Sequence, residues 1–139
     1  MPSTKPLLAT LITFPTMTDG RGDLVALETN TPNVPFTLKR VYYITNVPQG
    51  QDRGGHAHKA LEGVLIATSG TIDITVDNGH DRESFTLDSP HKGLHLEAGL
   101  WREMSNFSEG AVLMVLASEV YDEADYIRDY QAFLEWVKQ

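Results

Sequence analysis

The sequence has no cysteine. Disulfides, thiolate metal ligands and cysteine nucleophiles are therefore excluded. No apolar run approaches the ~20 residues of a membrane span. The opening Met1-Pro2-Ser3-Thr4-Lys5-Pro6 lacks the long apolar core and small-residue cleavage site of a leader. Cations are scarce: 11 Lys and Arg stand against 19 Asp and Glu, a formal net charge of −8. An acidic chain of this kind is not expected to hold nucleic acid on a basic face. The expectation is a cytoplasmic protein with no membrane and no nucleic-acid partner. Hydrophobic residues make up 41% of 139, enough for a real core. At ~100–200 residues per domain, residues 1–139 read as one domain.

The few cations are unevenly placed. Arg21, Lys39, Arg40, Arg53 and Lys59 share one stretch with the anions Asp23, Glu28 and Asp52, so this segment is net +2. It reads as a local pocket for an anionic small molecule. Arginine suits such a pocket because its planar fork binds phosphate oxygens in pairs.

Most of the chain reads as short strands with turn punctuation. The expected strands are Leu24 to Glu28, Arg40 to Ile44, Leu61 to Thr68, Thr71 to Val76, Ser84 to Leu87, Gly93 to Leu96 and Ala111 to Ala117. Thr71-Ile72-Asp73-Ile74-Thr75-Val76 alternates with period 2, which buries one face. Asp77-Asn78-Gly79 follows it as a hairpin signal. Near the C-terminus the period changes. Tyr126, Ile127, Tyr130, Phe133, Leu134 and Val137 fall on one helical face, with Asp122 as the expected N-cap and Asp125 in the first turn. Strands at this spacing with one terminal helix predict an all-β sandwich or barrel. A jelly roll is favoured, because its double sheet encloses a cavity within a short chain.

The most informative stretch is Arg53-Gly54-Gly55-His56-Ala57-His58-Lys59-Ala60-Leu61-Glu62. On a strand, His56 and His58 leave the same face. Two imidazoles on one face either grip a metal or handle protons. Gly50, His56-x-His58, Glu62 and Gly70 resemble the first motif of the cupins, which are small jelly rolls. The stretch Gly99 to Asn106 resembles the second, but Arg102 stands where that motif has its third metal-binding His. A guanidinium offers no lone pair and repels a cation, so no metal is expected. The alternative is a metal-dependent cupin enzyme using His56, His58, Glu62 and His95.

A closer resemblance runs from about residue 12 to the end. The blocks Asp19 to Glu28, Lys39 to Tyr43, Gly55 to Lys59, Met114 to Ser118 and Tyr121 to Arg128 resemble the sugar 3,4-ketoisomerases. That resemblance implies a cupin-type double-stranded jelly roll that needs no cofactor. Its substrate would be dTDP-4-keto-6-deoxyglucose, whose ketone moves from C4 to C3 through an enediol. It also implies His58 as the base at C3, with His56 orienting it or relaying the proton. Tyr43 would bond the developing oxyanion and Arg21 would lie over the sugar oxygens. Arg40, Arg53 and Lys59 are the candidates for the diphosphate. Arg102 forms a further wall of the substrate pocket, where the family often has His. The Arg21-Gly22 pair suggests the galacto product, for deoxyamino-sugar biosynthesis. A homodimer with exchanged N-terminal strands is implied, with Arg21 donated across the interface. Two further alternatives are a nucleotide-sugar 3,5-epimerase and a non-catalytic sugar-binding cupin.

Overall fold

The computed structural model describes residues 8–139, so the reading of Met1 to Pro6 lies outside the described residues. The strands are β1 (Thr10–Thr13), β2 (Met17–Asp19), β3 (Gly22–Leu24), β4 (Arg40–Ile44), β5 (Arg53–His58), β6 (Gly63–Ser69), β7 (Ile72–Asp77), β8 (Arg82–Leu87), β9 (Lys92–Leu96), β10 (Trp101–Ser105) and β11 (Val112–Ala117). A 3₁₀ turn (Glu123–Asp125), β12 (Tyr126–Ile127) and helix α1 (Tyr130–Val137) complete the chain. Two five-stranded sheets form, in the orders β1-β9-β6-β11-β4 and β12-β5-β10-β7-β8, with β2–β3 as a separate hairpin. All pairings are antiparallel. The expected double-sheet jelly roll is what forms.

The strand patterns explain the layers. Ile72, Ile74 and Val76 alternate along β7 and are fully buried. They meet Leu65, Leu94, Leu96, Leu113 and Val115 of the first sheet in the core between the sheets. β6 is apolar on both faces because both are covered. Its Val64 and Ile66 point outward, beneath Phe14, Val34 and Phe36. The strand expected at Leu24 to Glu28 does not continue past Leu24. Val25 and Leu27 pack on that outer face instead, within an irregular cover. The Thr29 hydroxyl closes the cover by accepting from the Leu38 N–H at 2.7 Å and donating to the Phe36 carbonyl at 3.0 Å.

β10 was not among the expected strands, because Arg102 and Glu103 interrupt its apolar residues. It nevertheless lies between β5 and β7, paired to both. The C-terminal helix is shorter than its periodicity predicts. Asp122 caps only the 3₁₀ turn, and Tyr126 and Ile127 pair with His58 and Ala57 of β5. Asp129 caps α1, accepting from the Ala132 N–H at 2.9 Å. Phe133 anchors the helix beside Trp101, Ala57 and Ile127 on the outer face of the second sheet. Among the described residues no helix is long and apolar enough to cross a membrane.

Candidate active site

A bulge in β5 sets up the site. His56 sits opposite Arg102 and Gly54 opposite Glu103, so Gly55 is the extra residue. Gly54 and Gly55 have φ of +84° and +69°, where a side chain is strained. A Cβ at Gly54 would also meet the Arg102 carbonyl at 3.0 Å. Beyond the bulge, His56 and His58 face inward beside Arg102, whose neighbour on the other side is Val76 of the core. Ala57, between the histidines, faces outward to α1.

His58 is 1% exposed. Its Nδ1 lies 3.0 Å from Asp125 Oδ2. A carboxylate only accepts, so a hydrogen bond here requires the proton on Nδ1. The His56 ring stands at 87° to it with centroids 4.8 Å apart. Tyr126 lies against both rings, at 4.9 Å from His56 and 4.4 Å from His58. Arg102 is 2% exposed, and its Nη2 donates to the Leu100 carbonyl at 3.2 Å. Among the described residues no carboxylate forms an ion pair with it. Arg102 Nε, Arg40 Nη1 and the Nε2 atoms of both histidines are buried with no hydrogen-bond partner. Buried polar atoms are ordinarily satisfied, and such a concentration of exceptions marks a functional site.

The electrostatics follow from this packing. Burial, then the Arg102 charge and that of His58, pushes His56 down to about 3. Burial and Arg102 push His58 down to about 4, against the opposing pull of Asp125. Burial lowers Arg102 to about 10, so it remains a cation at neutral pH. Burial also raises Tyr42, which stays a neutral phenol. The site therefore holds two neutral imidazoles beside one desolvated guanidinium.

A cavity of about 480 Å³ opens onto this group, lined by Arg40, Tyr42, Arg53, His56, Tyr126 and Arg128 among others. Of the expected site residues, His56, Arg40, Arg53 and Tyr43 line it. His58 and Arg102 lie behind its wall. Tyr43 is nevertheless 67% exposed, because its side chain leaves the opposite face of β4 from Tyr42. Period 2 turns only one of the two tyrosines inward, and that one is Tyr42. Lys59 lies outside the cavity, in a surface groove with Trp136. Arg21 is at the tip of the β2–β3 hairpin with its side chain 91% exposed, 2.8 Å from Asp19. One chain does not bring it to the histidines. Asp125, Tyr126 and Arg128 were missed as site residues because their segment carries helical spacing. Arg128 stacks 4.2 Å over Tyr126 and is held by Glu123.

The residues do not fit a cupin metal centre. His95 bonds Glu62 at 2.9 Å on the outer face of the first sheet, beside Phe36. Both are thereby directed away from His56 and His58. Among the described residues no three His, Asp or Glu side chains converge as ligands.

The family model described as FdtA: WxcM-like, C-terminal matches residues 8–138. A TDP-4-oxo-6-deoxy-alpha-D-glucose-3,4-oxoisomerase of Aneurinibacillus thermoaerophilus is 46% identical over 127 residues, 91% of each chain. The crystal structure of a 3,4-ketoisomerase from Helicobacter canadensis superposes with a TM-score of 0.91 at 44% identity, covering 94% of this chain and 98% of that one. The ketoisomerase QdtA of Thermoanaerobacterium thermosaccharolyticum, as an Asn-for-His variant in complex with TDP-4-keto-6-deoxyglucose, gives a TM-score of 0.91 at 40% identity, with 96% of each chain covered.

Proposed function

The chain belongs to the FdtA family of sugar 3,4-ketoisomerases, and from that premise we propose that it moves the ketone of TDP-4-keto-6-deoxyglucose from C4 to C3 with two histidines as the proton carriers. The observation that carries the mechanism is a pair of neutral imidazoles, His58 buried and His56 half-buried, beside a buried guanidinium with no ion-pair partner among the described residues. An unpaired buried cation is costly, and an enediolate is the anion that would offset it.

The steps balance as follows. His56 Nε2 takes the proton from C3. The C3–H electrons form the C3=C4 bond, and the carbonyl π pair moves to O4. Arg102 Nε–H and the Tyr42 hydroxyl stabilise that oxyanion. His58 Nε2 takes the O3 proton and returns one to O4. As the C3=O3 bond forms, the double-bond pair collects the proton from His56 at C4. Both histidines end neutral, and one hydrogen has moved from C3 to C4 and one from O3 to O4. This division reverses the roles that the family resemblance implies. It is supported by His56 lining the cavity, whereas His58 is buried behind it.

A single base on one face also bears on the product. In the gluco chair, H3 and H4 lie on opposite faces. Hydrogen lifted from C3 and returned to C4 on the same face leaves O4 axial, which is the galacto epimer. Arg40, Arg53 and Arg128 line the cavity as the cradle for the diphosphate. Arg128 takes the place foreseen for Lys59.

The partner in this reading is a second copy of the chain. Leu11, Met17, Leu24, Val41 and Tyr43 are large apolar side chains at least half exposed, which favours a covering surface. Exchange of N-terminal strands would bring the Arg21 hairpin to the other protomer's cavity. Such an enzyme would act in the cytoplasm, with nucleotide sugars.

The roles of the histidines are separated by two variants incubated with the keto sugar in deuterium oxide. His56→Asn should lose both ketone migration and hydrogen exchange at C3, by ~100- to 10,000-fold. His58→Asn should lose migration yet keep exchange at C3. The opposite pattern would return the carbon-bound proton to His58.

A further inference from the structure

Asp125 carries no role in the steps above, yet it is tied to the site more firmly than any other carboxylate. Its Oδ2 is 3.0 Å from His58 Nδ1 and accepts from the Leu61 N–H at 3.3 Å, while its Oδ1 accepts from the Ala60 N–H at 2.7 Å. Its own carbonyl accepts from the Lys59 N–H at 2.9 Å, and its N–H donates to the Asp122 carbonyl at 3.0 Å. The next residue, Tyr126, pairs with His58 across β12 and β5. The carboxylate is thus fixed from both sides, with its side chain 13% exposed.

We infer that Asp125 is a positioning residue that holds His58 as its Nδ1–H tautomer, so that Nε2 presents a lone pair toward the sugar hydroxyls. The inference rests on the reading above in which His58 moves the oxygen-bound proton. The physical argument is local. The other tautomer would place a ring lone pair against a carboxylate oxygen. The remaining groups around the ring are His56, Tyr126 and the cations Arg102 and Arg40. None of these is bonded to Nδ1, so Asp125 alone selects the tautomer. When His58 briefly becomes imidazolium, the same carboxylate offsets the repulsion from Arg102.

Asp125 also ties the 59–61 segment, so loss of activity alone would not separate positioning from folding. The deciding readout is the tautomer of His58, seen by nitrogen-15 NMR of the histidine-labelled protein and assigned by the signal that His58→Asn removes. The unmodified protein should show a protonated Nδ1 and a bare Nε2. A ring protonated at Nε2 would overturn the inference with no variant needed. In Asp125→Asn, the amide oxygen can still accept from Ala60 while its NH₂ faces the ring, giving up only the longer 3.3 Å bond from Leu61. The ring should then switch to Nε2–H. kcat should fall on the order of 100- to 10,000-fold, the span of general-base and wrong-tautomer losses, while TDP binding is unchanged. Lower kcat with the Nδ1–H tautomer retained would make Asp125 a loop tie only and overturn the inference. A switched ring with unaltered kcat would leave Asp125 holding His58 but remove His58 from the reaction. That is failure of the functional reading, and the two are distinguishable.

Discussion

At the scale of single residues, the proposed mechanism needs uncharged bases, and the packing supplies two neutral imidazoles. His58 is buried and His56 half-buried beside Arg102, and His58 also opposes the charging of His56. Their folded values, about 3 and about 4, lie below the ordinary 6.5. In that interval the unfolded chain binds protons that the folded chain does not. Stability should therefore fall as pH drops from 6.5 toward about 4, and these groups should contribute no pH dependence above 6.5. Thermal melts across that range should show the loss, and His56→Asn/His58→Asn should show a shallower one. The kcat–pH profile should have no acidic limb at 6.5, and one found there would contradict neutral bases. Much of this chemistry was legible in the sequence. The pair His56-x-His58 and the cations Arg40, Arg53 and Arg102 stand out by type and spacing. Tyr42 against Tyr43 was not legible, because adjacent tyrosines differ only in the phase of their strand. Asp125 was hidden because its partner is 67 positions away, and no local pattern reports such a contact.

At the scale of elements, the second sheet carries the catalytic side chains on one face and α1 on the other. Phe133 is fully buried there, with its ring 5.8 Å from Trp101 and 6.0 Å from Tyr130. Phe133→Ala should cost about 3–5 kcal/mol, read as a lower denaturation midpoint. Activity at low temperature should survive, because α1 touches the outward residues Ala57 and Trp101 rather than the inward histidines. Loss of activity in a well-folded Phe133→Ala protein would show that the helix shapes the cavity directly. The alternating strands were legible, since Ile72, Ile74 and Val76 announce their buried face. β10 was not, because Arg102 is a charge on the inner face of a central strand. Such a departure from the pattern is itself a sign of function. The segment from Tyr126 read as helix because its apolar residues suit both periods. Pairing with β5 decides it, and pairing is a tertiary fact.

At the scale of the whole molecule, an acidic jelly roll surrounds a cationic cavity built from four stretches of chain. β5 and β10 supply the imidazoles and Arg102, β4 supplies Arg40 and Tyr42, and the 3₁₀ turn with β12 supplies Asp125, Tyr126 and Arg128. Arg21, on the exposed β2–β3 hairpin, reaches the cavity in the proposed reading only by strand exchange with a second copy. Sedimentation should therefore give twice the 15.4 kDa mass of one chain, and a fully active monomer would refute the exchanged-strand arrangement. The most direct test of the central claim is a proton NMR time course of TDP-4-keto-6-deoxyglucose with the enzyme and a chelator in deuterium oxide. The account predicts that the ketone appears at C3 and that deuterium enters C4 in the fraction of turnovers in which His56, which lines the open cavity, exchanges its proton with solvent before returning it. Deuterium entering C3 or C5 while the ketone stays at C4, or no change while TDP still binds, would contradict it.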